Sequence, residues 1–196
     1  MNLAFFASYN GSSAHAITDA CLENDIIATP VLLITNNPDA KAIEWAENKG
    51  LKVAVINAQT HPDPSERDAA IADKLQENKI SLVALSGYMK LIGSRTLSAV
   101  NERMLNIHPA LLPKYGGKGM YGSNVHKAVK ENGDHETGIT IHQVNDEYDE
   151  GKIIAQKIIP VAETDSAGDI EENVKAAEPQ FYIETIRKIQ KGQIDF

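Results

Sequence analysis

Residues 105–115 read LNIHPALLPKY, an apolar run in which an asparagine and a histidine stand two positions apart just before a proline. Side chains alternate faces along a β-strand, so Asn106 and His108 share one face and present an amide and an imidazole together. Pro109 has no N–H for a ladder and ends the run. Two readings fit: a strand end delivering polar groups into a site whose geometry the sheet sets, or two hydrogen-bonded polar side chains at a strand terminus.

Upstream, the runs NLAFFAS, PVLLITN, KVAVIN and SLVALSGY are also of strand length and bounded by turn residues. Most are apolar at successive positions, as in strands covered on both faces of a parallel sheet. Helix-like stretches lie between them, near 13–24, 39–49, 66–77 and 93–100. The series predicts an α/β fold, a Rossmann-like open and mostly parallel sheet with helices on both faces. Downstream, TGITIHQVN and GKIIAQKIIPV flank the acidic turn DEYDEG, which predicts an antiparallel hairpin appended to the sheet. A last helix spans about 167–191, opened by SAGDIEE. YGGKGMYGS, at 115–123, reads as a long flexible loop directly after the Asn-His strand.

With 196 residues and 42% hydrophobic composition, the chain is read as one domain over 1–196. A net charge of −8 argues against a nucleic-acid surface, which needs Lys and Arg to displace counterions. The single Cys21 lies on an amphipathic helix and reads as packed rather than catalytic. The start MNLAFFASYNG has no positive n-region and too short an apolar stretch for a signal or a membrane span, so the expectation is a cytoplasmic protein with no membrane partner. No HExxH, paired-Cys or calcium-loop pattern occurs, and no metal is expected.

Ligands of open parallel sheets bind beyond the carboxyl ends of the strands. There, SYNGSSAHAI offers Gly11 for a tight turn and Ser12 and Ser13 at a helix start, where free N–H groups suit an anion or an ordinary capped turn. Gly87 in LSGYMKLI permits close backbone approach or simply turns the chain. Asp149 falls in the hairpin turn, where carboxylates are commonly solvated.

Taken together, NGS after the first strand, SGYMKLI after the fourth, LNIHPALLPKY after the fifth and GITIHQVNDEYDEG in the hairpin resemble the phosphoribosylglycinamide formyltransferase family along nearly the whole chain. The resemblance implies transfer of a formyl group from 10-formyltetrahydrofolate to the amine of glycinamide ribonucleotide, in de novo purine biosynthesis, by direct attack. Asn106, His108 and Asp149 are then the catalytic set: Asn106 and a protonated His108 stabilise the oxyanion of a tetrahedral intermediate, and Asp149 favours the charged imidazole and holds a relay water. The ribonucleotide falls to Gly11, Ser12, Ser13, Gly87, Met89, Pro109, Lys175 and Glu178, with the phosphate on the first helix and Lys175, and the ribose on Glu178. The folate falls to Met89, Lys90, Leu91, Ile92, Val144, Asp146 and Asp149. Ser13 and Lys90 depart from the asparagine and arginine common in the family. Partners are small molecules, with the assembly open between monomer and homodimer. Methionyl-tRNA, sugar-nucleotide and hydrolase relatives share the Asn-His-Asp core; the first and last carry further domains that this chain is not expected to have. A non-catalytic folate or nucleotide binder is the alternative of another class.

Overall fold

The computed structural model describes residues 1–196. Its strands are β1 (Asn2–Phe6), β2 (Thr29–Thr35), β3 (Lys52–Val55), β4 (Leu82–Leu85), β5 (Met104–His108), β6 (Glu136–Gln143) and β7 (Ile153–Pro160). They form one sheet in the order β3-β2-β1-β4-β5-β6-β7. β1 to β5 are parallel, whereas β6 runs antiparallel to β5, and β7 to β6, so the expected hairpin is part of the sheet. The chain builds outward from β1 to β3, then crosses to β4 on the other side of β1, leaving a switch point between β1 and β4.

Six helices cover the sheet: α1 (Ser12–Leu22), α2 (Ala42–Asn48), α3 (Pro64–Glu77), α4 (Ser94–Ala99), α5 (Ser123–Glu131) and α6 (Ala167–Gln190). Successive apolar residues in the strands go to opposite layers. Leu3, Phe5, Leu33, Leu82 and Leu105 pack with Ile17 of α1, Val129 of α5, and Val174, Tyr182 and Ile186 of α6. Ala4, Phe6, Leu32, Val83 and Met104 pack with Ile71 and Leu75 of α3 and Leu97 of α4. Each of the larger side chains contributes roughly 1.5–3 kcal/mol by leaving water. Tyr182 is fully buried, and its hydroxyl donates to the Leu105 carbonyl at 2.9 Å, tying α6 to the strand that carries Asn106 and His108.

Three local results refine the expected elements. α3 begins at Pro64 rather than 66, because Asp63 caps it by accepting from the amides of Ser65 and Glu66 at 2.8 and 3.0 Å. α2 is shorter than expected. α5 was not anticipated, although Val125, His126 and Val129 share one buried face at helical spacing; a short, mostly polar stretch directly after a glycine-rich loop reads as a continuation of that loop. No helix is long and apolar enough to cross a membrane.

Candidate active site

β5 brings Asn106 and His108 to one face, as their spacing requires, and β6 braces both. Asn106 pairs with His142 and His108 with Thr140 across the two strands. The buried Thr140 hydroxyl donates to the Ala110 carbonyl at 2.7 Å and accepts from the Leu112 amide at 3.0 Å, anchoring the chain just after half-buried Pro109. The Asn106 amide donates from Nδ2 to His142 Nε2 at 3.0 Å. The other nitrogen, Nδ1 of His142, lies 3.0 Å from the Gln143 carbonyl and therefore carries the proton. His142 was not anticipated, although it stands in TIHQVN at the cross-strand position from Asn106.

The hairpin turn supplies Asp149, whose backbone φ is 59°. Its Oδ2 sits 3.4 Å from His108 Nδ1 and its Oδ1 3.5 Å from His142 Nε2. The Gly117 amide donates to the same Oδ2 at 3.1 Å. The turn is tight: a Cβ at Gly151 would stand 1.7 Å from the Gln143 carbonyl oxygen. His108 is 4% exposed, and its Nε2 donates to the Tyr115 carbonyl at 2.8 Å, so Nδ1 is the nitrogen that faces the site.

Burial lowers the His108 pKa below the ordinary histidine value; Asp149 and the Tyr115 carbonyl act the other way without cancelling it. Asp149 favours the cation, as expected, and desolvation opposes it. For Asp149, burial works towards a higher pKa and is outweighed by His142, His108 and the Gly117 amide, so the carboxyl stays below its usual range and ionised. The resting pair is a neutral imidazole beside a carboxylate.

At the switch point, Gly11 caps α1 with φ 65°, a left-handed conformation that a side chain would strain; a Cβ there would also stand 3.3 Å from that of Ala7. The Ala14 amide is taken by the Ser86 hydroxyl at 3.2 Å and the His15 amide by the Gly11 carbonyl at 3.1 Å, which leaves the Ser12 and Ser13 amides as the open donors of the helix end. Ser12 is exposed and Ser13 is buried.

Lys175 makes its contact within α6. It is exposed and ion-paired with Glu171 one turn earlier. Half-buried Glu178 has its pKa raised to about 7 by desolvation, against a small opposing effect of Lys175. Between this stretch of α6 and His108 lies His126 of α5, 1% exposed, with its Nδ1 unpartnered and its pKa lowered by burial.

The turn after β4 is stitched to β1 through Ser8, whose amide donates to the Gly87 carbonyl at 3.0 Å and whose hydroxyl accepts from the Met89 amide at 2.9 Å. Gly87 itself has φ 74°. Beyond it, Met89 and Leu91 are 37% and 50% exposed and Lys90 is exposed, whereas Ile92 is buried in one apolar cluster with Val144. Asp146 is exposed. On the other side of this loop, a cleft of about 760 Å³ is lined by Asn36, Asn57, Arg67 and Tyr88 together with Met89–Gly93; Asn106, His108 and Asp149 lie outside it. Cys21 is buried and burial pushes its thiol up to about 11, which leaves it packed and unreactive.

Comparison with known proteins bears on this geometry. Residues 1–186 match the family model described as Formyl transferase. The chain is 39% identical over 193 residues to the chloroplastic phosphoribosylglycinamide formyltransferase of Arabidopsis thaliana, a match covering 98% of this chain and 66% of the plant protein, so the chain spans about two thirds of that relative's length. With the phosphoribosylglycinamide formyltransferase of Bacillus subtilis the identity is 35% over 186 residues, covering 95% of this chain and 93% of that protein. The crystal structure of glycinamide ribonucleotide transformylase 1 from Symbiobacterium toebii superposes with a TM-score of 0.91 at 33% identity, covering 100% of this chain and 90% of that one.

Proposed function

This chain belongs to the formyl transferase family, and on that premise we propose that it transfers a formyl group from 10-formyltetrahydrofolate to the amino group of glycinamide ribonucleotide. The observation that carries the reading is the convergence of Asn106, His108 and Asp149, with the His108 Nδ1 and Asp149 Oδ2 3.4 Å apart.

The bound folate supplies the formyl group as electrophile at its N10. Exposed Met89 and Leu91 on the rim of the β4–α4 loop fit an aromatic ligand that covers apolar surface. The side chains do the rest. Asn106 has one amide proton engaged by His142, and its second is free to meet the formyl oxygen as charge develops there. His108 enters neutral, accepts at Nδ1 a proton released by the attacking amine, and so becomes a cation where the oxygen becomes an anion. Asp149 stabilises that imidazolium and keeps Nδ1 oriented. His108 then returns the proton to the departing folate nitrogen, which closes the proton balance without a Ser or Cys nucleophile.

For the ribonucleotide, the Ser12 and Ser13 amides offer a phosphate the positive end of α1. Lys175 joins them by leaving Glu171, and Glu178 faces the ribose hydroxyls. As part of the same reading, the enzyme acts as one domain over 1–196 on small molecules in the cytoplasm. The test is an assay with glycinamide ribonucleotide and 10-formyltetrahydrofolate, following loss of the formyl group, with the dephosphorylated riboside in parallel. Transfer to the ribonucleotide and little to the riboside is expected; absence of transfer to the ribonucleotide would overturn the reading.

A further inference from the structure

Catalytic His108 is aimed by a carbonyl that sits in an unfavourable place. Tyr115, whose carbonyl accepts from His108 Nε2 at 2.8 Å, has φ 59°, a left-handed conformation that costs an aromatic residue roughly 1–2 kcal/mol. Something must hold it there. Asp134, in the loop between α5 and β6, accepts from the Tyr115 hydroxyl at 2.8 Å. The same carboxylate accepts from Lys114 Nζ through both oxygens, at 2.8 and 2.6 Å, and from the Asn132 amide at 2.7 Å. Lys114 Nζ also lies 5.0 Å from the centre of the Tyr115 ring. Two residues on, the Gly117 amide donates to Asp149. One turn therefore gives a carbonyl to the imidazole and an amide to the carboxylate, and it is pinned to the molecule by Asp134.

We propose that Asp134 is a positioning residue for formyl transfer, acting through Tyr115 to hold the Tyr115 carbonyl on His108 Nε2 and so present Nδ1 to the reacting atoms. The kinetic part of this inference rests on the activity proposed above; the geometric part does not. Without the clamp, Tyr115 relaxes towards ordinary backbone angles, its carbonyl leaves Nε2, and the imidazole is free to exchange tautomers. The charged and titratable groups facing His108 stay as they were: Asp149 in the hairpin turn, His142 on β6 and His126 on α5.

Two readouts test it on Tyr115→Phe, Asp134→Asn and Asp134→Ala. The first is nitrogen NMR of the His108 ring in the ligand-free protein, which reports tautomer and titration whether or not the enzyme turns over. Wild type should show the Nε2–H tautomer, and the variants should show mixed tautomers with a titration midpoint moved to lower pH, because a contact favouring the cation is gone. The second is steady-state kinetics: kcat should fall about 10-fold to 100-fold with both Michaelis constants within about twofold. The Asp134→Ala protein has the most to lose in folding, so Tyr115→Phe, which removes a single hydroxyl, decides. Unchanged His108 signals in folded Tyr115→Phe would overturn the proposal. If wild type fails to transfer a formyl group, the NMR arm still decides between these outcomes and the activity alone is refuted.

Discussion

Replacing His108 by Ala, or Asp149 by Asn, should lower kcat by roughly 10²-fold or more, with much smaller changes in the Michaelis constants, because both groups act on charge that exists only during transfer. Steady-state kinetics at saturating concentrations of each substrate check this, and near-normal turnover in either variant would remove the assigned roles. The two differ in pH dependence. Neutral His108 is the form that accepts a proton, so kcat/KM falls as pH drops through its lowered pKa. Asp149 acts to raise that pKa, so in Asp149→Asn the acid limb should move to lower pH while the plateau falls. A pH–rate profile with an unmoved limb would separate Asp149 from the imidazole.

The elements around the site act by geometry, and their failures should look different. The β6–β7 turn leaves no room at Gly151, so Gly151→Ala must displace the turn that carries Asp149; activity should fall by more than tenfold while the protein stays folded, as circular dichroism and kinetics on one preparation would show. By contrast, Asp63→Ala removes the cap of α3, far from the trio, and should cost about 1 kcal/mol in denaturant unfolding with kcat retained. The glycine-rich segment is not uniformly free. Gly117 is tied to Asp149 and to Met120, and Asn124 reaches back to the Gly119 carbonyl. Mobility should concentrate at exposed Lys118, between these ties, where cleavage by trypsin should diminish when both ligands are bound. Equal cleavage with and without ligands would make the segment a passive surface loop.

Across the whole molecule, charge opposes the proposed substrate. At a net charge of −8, long-range repulsion of a phosphate must be overcome by short-range donors at α1, so added salt should screen the repulsion and lower the Michaelis constant for the ribonucleotide relative to that for the riboside. Glu178 contributes a second global effect. Its folded pKa of about 7 lies above the 4.5 of a free glutamate, so the fold binds a proton that the unfolded chain releases across that window. Stability from this group is present below about pH 4.5 and is lost as pH rises towards 7. Glu178→Gln should therefore raise the thermal midpoint at pH 8 and leave it nearly unchanged at pH 4.5; an equal shift at both would mean that Glu178 is not desolvated in the folded protein.

The parallel sheet, its strand runs and the shared face of Asn106 and His108 were all legible along the chain, because each follows from a period of two and from apolar residues that both sheet faces must bury. So was the capping box of α6, which is local chemistry of Ser166 and Asp169. The helix α5 was missed although its buried residues fall on one face, because nine mostly polar residues after a glycine-rich loop read as more loop. Nor were the groups that work on the trio from far away in sequence. His142 reaches Asn106 across 36 residues, the Gly117 amide reaches Asp149 across 32, and Asp134 holds Tyr115 across 19. The charge on His108 belongs to the same class: Asp149 argues for a cation, and only the packing around the ring shows that desolvation wins. Pattern and local propensity are written into neighbouring residues, whereas pairing register, burial and electrostatic balance depend on which distant segments meet.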